Sequence, residues 1–313
     1  MKILVTGATG YVGGRLVQFL SERGHRIIGT TRQHPQSLNG WPPTARLVTL
    51  NAIDLSAPDL DLIGQVDAVI HLAAANEIRS AQDPEAAMLE TCGATRRLLE
   101  ACIACQVKRF IFLSTTHVYA SPLEGHFDER SLTRPAHPYA ISHKAGEDYV
   151  YAANKAGRIS GITVRLSNSI GAPAWRNVDR WTLVGNDLAR QAIETGEILI
   201  KAPNQWRDFI PMTDVCLGID LLLAAAPAAL GDGIFNLAGD LPLRIIDIGS
   251  YMVAAAEAVM GSSIALKTAV AVETAGAPVY TLGIDRLVSL GFKPSGIPGL
   301  EAELRATLQL LSA

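Results

Sequence analysis

The chain is 313 residues long, 49% hydrophobic and 18% charged, with 27 basic against 30 acidic side chains and a formal net charge of -3. That balance excludes a disordered chain, which needs fewer apolar and more charged residues, and it leaves enough apolar material for a sizeable core. It also argues against nucleic acid as a partner, because binding a phosphate backbone needs a basic field and the sequence has no Lys/Arg run, although a few arginines suffice for an anionic small molecule.

From the N-terminus, Met1 to Gly7 read as a strand ending in a glycine turn, which leaves no room for a signal peptide. Strands are expected at residues 3–6, 26–31, 47–50, 68–72, 110–114 and 163–166. Between them lie helical patterns at 12–23, closed by Gly24, at 83–106, entered at Pro84, and from Pro138-Tyr139 to about Lys155. Short β-branched runs alternating with helices are the signature of βαβ units and a parallel sheet. Further on, helical stretches at 183–194, 215–226, 246–260 and 300–311 are separated by Gly/Pro-containing loops. A composition break at residues 167–177 marks where the chain is expected to leave the sheet. The division that follows is a dinucleotide-binding domain over 1–166, returning around 207–237, with a smaller region built from 167–206 and 238–313. The longest apolar stretch, residues 221–230, is interrupted by Pro227 and falls short of the roughly 18 residues a membrane span requires. A soluble, cytoplasmic protein with no membrane partner is expected. Cys102 and Cys105 form a CxxC inside a helical pattern without a second ligand pair, so they read as reduced thiols, and no metal site is expected.

The segment Thr6-Gly7-Ala8-Thr9-Gly10-Tyr11-Val12-Gly13 follows a strand and opens a helix. Gly7 would make the turn, Gly10 would let a pyrophosphate approach the backbone, and Gly13 would allow close packing of helix on strand. Gly7, Gly10, Tyr11, Val12 and Gly13 therefore form the expected cofactor loop. Asp54 and Leu55 after the third strand are candidates for holding the adenine. At the end of the fourth strand, Leu72, Ala73 and Ala74 offer small residues under a flat cofactor.

Together these features resemble the extended branch of the short-chain dehydrogenase/reductase superfamily, the nucleotide-sugar epimerases, dehydratases and reductases, over nearly the whole chain. The resemblance implies an α/β fold with a Rossmann-type doubly wound parallel sheet and a smaller C-terminal substrate-binding region. At the end of the second strand that family often carries an acidic residue for the ribose of NAD, whereas this chain has Thr31-Arg32. A carboxylate would repel a 2′-phosphate and an arginine can bind one, so NADP(H) is preferred with Arg32 as ligand, NAD(H) remaining possible. The bland alternative is a solvated surface charge.

The stretch Leu113-Ser114-Thr115-Thr116-His117-Val118-Tyr119 is similar to the family segment that carries the catalytic Ser or Thr, and it assigns that role to Thr115. Thr116 and His117 follow as substrate-side residues. His117 is a candidate acid or base beside the substrate, or else a loop histidine satisfied locally. The Asp-Glu pair of the dehydratases is absent here, which disfavours loss of water across C5 and C6. Tyr139-Ala140-Ile141-Ser142-His143-Lys144 is similar to the family's Tyr-x-x-Ser-Lys stretch, so Tyr139 aligns with the catalytic tyrosine and His143 occupies the lysine position, four residues on. A tyrosine of reference pKa about 10 needs a neighbouring cation to exchange protons near neutrality. Lys144 is turned roughly 100° away along the helix. His143 shares the tyrosine's face, can hydrogen-bond a ribose hydroxyl, and carries a charge only where its surroundings support one. Tyr151 and Lys155 repeat the spacing but lie ~18 Å along the helix, too far to share a substrate atom with Thr115.

Arg165 to Pro173 resembles the family loop whose asparagine, here Asn168, binds the nucleotide diphosphate, and Arg207 to Val215 resembles the motif whose arginine does the same, here Arg207. Thr91 stands where the family often has an asparagine. The implied enzyme is an NAD(P)-dependent oxidoreductase/epimerase of a nucleotide-activated sugar, working by C4 keto reduction or by C4 epimerisation through a keto intermediate. Two alternatives stand beside it: a dinucleotide-binding protein without redox turnover, and a reductase of a non-sugar carbonyl compound. The helices at 83–106 and 139–155 resemble those by which family members pair, which implies a homodimer.

Overall fold

The computed structural model describes residues 1–32, 41–49, 58–178, 180–274, 276 and 279–312. The first half runs β1 (Lys2–Thr6), α1 (Tyr11–Glu22), β2 (Arg26–Thr31), β3 (Ala45–Thr49), α2 (Leu60–Ile63), β4 (Ala68–His71), α3 (Glu77–Gln82) and α4 (Pro84–Met88). A π-helical turn, Leu89–Gly93, leads into α5 (Ala94–Ala104), then come β5 (Arg109–Thr115), β6 (Gly125–Phe127), α6 (Pro138–Lys155) and β7 (Ser160–Leu166). The second half runs β8 (Asn168–Ile170), α7 (Val184–Thr195), β9 (Glu197–Ile200), β10 (Trp206–Pro211), α8 (Met212–Ala224), β11 (Ile234–Leu237) and β12 (Pro242–Arg244). It ends with α9 (Ile245–Met260), β13 (Ala265–Thr268), β14 (Tyr280–Leu282), α10 (Asp285–Ser289) and α11 (Gly296–Ser312).

Seven strands form one parallel sheet in the order β11-β7-β5-β4-β1-β2-β3. Helices cover both faces, which is why β1 reads as an unbroken apolar run: Ile3, Leu4 and Val5 are all fully buried. Successive side chains point to opposite faces. Ile3 and Val5 pack with Leu16, Val17 and Leu20 of α1, whereas Leu4 joins Phe110, Phe112, Leu98 and Leu99 under α5 and α6. The strand order reverses between β1 and β4, and in such sheets the crevice at the carboxyl ends of those strands is where a ligand binds. The glycine loop is locked there by contact. A Cβ on Gly13 would stand 2.1 Å from the Gly7 carbonyl oxygen, and Gly7 itself holds φ +66, a left-handed conformation open to glycine.

β8, β10 and β12 make a separate three-stranded sheet, β9 pairs with β13, and β6 with β14. α7, α9 and α11 pack around a second core of Leu188, Ile248, Met252, Leu300 and Leu304. Between these, α8 packs on α1 and β11 closes the large sheet beside β7.

The helix expected over 83–106 is divided into α4, the π turn and α5. At the turn, fully buried Thr91 accepts the Ala75 N–H at 3.1 Å, and its own carbonyl accepts the Thr95 hydroxyl at 2.7 Å. The wide turn thus ties the helix to the loop after β4. α3 is missing from the sequence reading because its six residues are too few for a periodicity; its start is marked only by Asn76, whose side chain accepts the Arg79 N–H at 2.8 Å. Among the described residues no helix is long and apolar enough to cross a membrane.

Candidate active site

The glycine loop and the loop after β4 are joined by one hydroxyl. Thr6 Oγ1 accepts the N–H groups of Leu72 and Ala73, each at 3.2 Å, and lies 2.6 Å from His71 Nδ1. With its acceptor sites taken by two amides, that hydroxyl donates to His71, which fixes the imidazole with its proton on Nε2. α1 starts at Gly10 without a side-chain cap and without an acidic residue in its first turn. The amides of Tyr11, Val12 and Gly13 at that start are therefore suited to a phosphate, and the residues present fit a dinucleotide. The Tyr11 side chain points elsewhere, donating to the Gly171 carbonyl at 2.7 Å and so tying the glycine helix to the loop after β8. Arg32 is exposed just past β2, where Thr31 Oγ1 lies 3.0 Å from Thr9 Oγ1. Asp54 and Leu55 lie outside the described residues.

Across the crevice, β5 ends at Thr115 and α6 begins beside it. His137 caps α6, its Nδ1 accepting the Tyr139 N–H at 3.2 Å. The Thr115 side chain is near enough to the Tyr139 phenol to favour its ionised form. Burial, and then the Glu77 carboxylate, push the phenol up to about 12, against the opposing pull of Arg180 and Thr115. His143 lies on the same face, with its Nδ1 donating to the Tyr139 carbonyl at 2.7 Å and its ring centroid 4.3 Å from the tyrosine ring. Its charge is not supported: burial between Tyr139 and Phe112 pulls the imidazole down to about 4, so it is neutral in the physiological range and does not replace the family lysine as a cation. Lys144 is paired with Asp148 on α6, and Lys155 sits over the Tyr151 ring at 5.7 Å, so neither serves Tyr139.

Beneath the site a buried network holds β5 to α6. Ser114 Oγ donates to Glu147 at 2.6 Å, Glu147 pairs with Arg165 at 2.8 Å, and the Tyr119 hydroxyl bridges Arg165 and Asn236. The apolar-looking Val118-Tyr119 segment is thus a buried support for Thr115 and Thr116. His117 opens into the cleft, yet the protein around it and the nearby Arg207 lower its pKa, with Glu77 acting against them.

On the substrate side, Asn168 and Arg207 come together on paired strands β8 and β10. Asn168 Nδ2 donates to the Asp208 carbonyl at 3.0 Å, and Arg207 Nη1 is 3.5 Å from Asn168 Oδ1. Arg207 is half-buried and, among the described residues, has no carboxylate partner. Two residues that sequence reasoning missed enter from distant loops: Glu77 at the start of α3 and Arg180 between β8 and α7, paired at 3.2 Å. The Asn76-Glu77 cap is a faint signal for the first, and nothing in one dimension marks the second.

The family model described as the NAD dependent epimerase/dehydratase family matches residues 3–238. Among curated proteins, the chain is 28% identical to the uncharacterized UDP-glucose epimerase YtcB of Bacillus subtilis over 80% of this chain and 81% of that one. It is 30% identical to a UDP-glucose 4-epimerase of Streptomyces lividans over 55% of this chain and 53% of that one. Among solved structures, UDP-glucuronic acid 4-epimerase from Bacillus cereus, in complex with UDP-glucuronic acid and NAD, aligns with TM-score 0.77 and 26% identity over 99% of this chain and all of that one.

Proposed function

The chain belongs to the NAD-dependent epimerase/dehydratase family of extended short-chain dehydrogenases/reductases, and from that premise we propose that it is an enzyme acting at C4 of a nucleotide-activated sugar, by keto reduction or by epimerisation through a keto intermediate. The observation that carries this reading is that the Tyr139 and Thr115 hydroxyls meet at the end of β5 beside the β1/β4 crevice, with a half-buried arginine, Arg207, that has no carboxylate partner among the described residues. When bound, a nicotinamide supplies or accepts hydride at the sugar carbon. Tyr139 gives a proton to the C4 oxygen in reduction and takes it back in oxidation, while Thr115 donates a hydrogen bond to the same oxygen. His143, neutral with its Nδ1–H engaged by the Tyr139 carbonyl, keeps Nε2 as an acceptor for a ribose hydroxyl. Gly7, Gly10 and the first amides of α1 hold the pyrophosphate, Leu72, Ala73 and Ala74 lie under the cofactor, and Arg32 favours NADP(H) over NAD(H). Asn168 and Arg207 hold the substrate diphosphate, with Thr116 and His117 beside the sugar.

In this reading residues 1–166, with the return around 207–237, serve the cofactor, and 167–206 with 238–313 serve the substrate. The protein works as a homodimer through α4, α5 and α6, along which Leu89 of the π turn and Ile141 and Tyr149 of α6 are exposed. Incubation with NADP or NAD and a panel of UDP- and dTDP-hexoses, followed by NMR of product configuration, tests the assignment. Turnover lost in Tyr139→Phe supports it. The high-lying Tyr139 phenol beside a neutral His143 favours one second reading, a dinucleotide-binding protein without turnover. Tight cofactor binding with no product from any sugar would select that reading instead.

A further inference from the structure

The loop after β8 is pinned along α1. Tyr11, the first residue of that helix, donates its hydroxyl to the Gly171 carbonyl at 2.7 Å, and Arg15, one turn on, donates Nη1 to the Ala172 carbonyl at 2.8 Å. Gly14 between them leaves room for the chain itself: a Cβ there would stand 2.8 Å from that of Ala174 and 2.4 Å from the Trp175 ring. Arg15 is set in turn by Glu303 of α11, whose carboxylate takes Nη1 at 3.0 Å and Nη2 at 2.8 Å, and also the Thr213 N–H at 2.9 Å at the start of α8. The Glu303 side chain is only 5% exposed. Parting the pair would leave a carboxylate buried without its cation, so α1, residues 171–175 and the start of α8 are held as one body. This body reaches into both sites. The first amides of α1, that of Tyr11 among them, are suited to a cofactor phosphate, Asn168 lies three residues before Gly171, and α8 follows directly on β10, which carries Arg207.

We propose that Arg15 and Glu303 are positioning residues that couple the two sites, so that a dinucleotide on α1 strengthens the binding of a nucleotide diphosphate at Asn168 and Arg207, and the reverse. The inference rests on the proposed reading of those two sites. A phosphate on the α1 amides fixes the backbone of Tyr11, and the Tyr11 hydroxyl and Arg15 carry that constraint to residues 171–172, next to Asn168 in the chain. A ligand that orders this shared body spares the second ligand the same cost, which favours joint occupancy without any new contact between them. Arg15 and Glu303 act through the backbone they hold, not on either ligand.

The test is calorimetry of UDP and of NADP or NAD on the full-length protein, each ligand alone and each with the other at saturation. UDP should bind roughly fivefold or more tightly when the dinucleotide is present, and the dinucleotide should gain by the same factor from UDP, as linkage requires. Glu303→Gln leaves every group of both sites in place and should bring that factor close to one. Arg15→Lys, which keeps the charge on Glu303 but loses the fork that also reaches Ala172, should retain part of it. If Glu303→Gln does not fold, Tyr11→Phe, short of one hydroxyl, should lower the factor instead. A lower melting temperature with an unchanged factor would leave the pair a structural brace and overturn the proposal, as would a factor of one in the unaltered protein. Should UDP not bind at all, the proposed function loses its diphosphate site, and the coupling is read from hydrogen exchange at residues 168–175. The dinucleotide should slow that exchange in the unaltered protein and not in Glu303→Gln, and exchange that it leaves unchanged in the unaltered protein overturns the coupling.

Discussion

The His143 imidazole lies 4.3 Å from the Tyr139 ring, centroid to centroid, and gives its Nδ1 proton to the Tyr139 carbonyl at 2.7 Å. It is therefore placed where the family lysine would be but held neutral, with its titration pulled to about 4 by burial, while the phenol is pushed up to about 12. A raised phenol pKa means that the proton stays on at neutral pH. Oxidation of a sugar alcohol, which needs the tyrosinate, should accelerate about tenfold per pH unit through the neutral and alkaline range, and carbonyl reduction should stay flat. His143→Lys should move the alkaline limb down by roughly one to three pH units, as read from the pH–rate profile. An unmoved limb in that variant would show that this face does not control Tyr139.

The same burial bears on stability. His71 and His143 are held at about 3 and about 4 in the folded chain against about 6.5 when unfolded. His71 resists protonation because it is fully buried, with His143 near by; its Nδ1 accepts the Thr6 hydroxyl, and among the described residues its Nε2 has no partner. Below pH ~6.5 the unfolded chain takes up protons that the folded chain refuses. Stability should therefore fall as pH drops towards 4, by ~1.4 kcal/mol per pH unit for each histidine, with no contribution from them above about pH 7. Urea unfolding across that range should show the slope, and His143→Gln should remove about half of it. An identical slope in the variant would mean that other groups govern acid unfolding.

The residues that chemistry places at fixed spacing were legible in the sequence. Gly7 to Gly13 and Thr115 sit at strand–helix junctions, and Tyr139 lies in the first turn of α6, where short motifs set both backbone and side chain. Arg26–Thr31 and Pro138–Lys155 agree with the sequence reading almost to the residue, because a β-branched run marks the strand and Pro at its start marks the helix. Glu77 and Arg180 were not legible, since their pairing joins loops 103 residues apart. Nor was the protonation of His143, which is decided by the Phe112 and Tyr139 rings packed on it rather than by its neighbours in the chain.

Arg32 is exposed just past the last residue of β2, and in the proposed reading it meets the ribose end of the cofactor. As a guanidinium it would bind a 2′-phosphate through charge-assisted hydrogen bonds, each worth ~1.5–3 kcal/mol, or roughly ten- to a hundredfold in affinity. Calorimetry should find NADP binding tighter than NAD by about that factor, and Arg32→Ala should bring the two together by weakening NADP alone. Equal affinities in the unaltered protein would mean that Arg32 is a solvated charge.

Arg207 offers a test in which binding and stability move apart. Its guanidinium is half-buried, burial lowers its pKa, and its hydrogen-bond partners, Asn168 Oδ1 and Gln205 Oε1, are uncharged and at 3.5 and 3.3 Å. A charge withdrawn from water without an opposite charge costs stability, and an arriving diphosphate repays that cost through a planar fork matched to its oxygens. Arg207→Met should therefore weaken UDP binding roughly ten- to a hundredfold in calorimetry, while its melting temperature stays level or rises. Arg207→Lys should recover part of the affinity, because it restores the charge without the fork. Lower melting with unchanged UDP affinity would give Arg207 a structural role and move the diphosphate site elsewhere in the cleft.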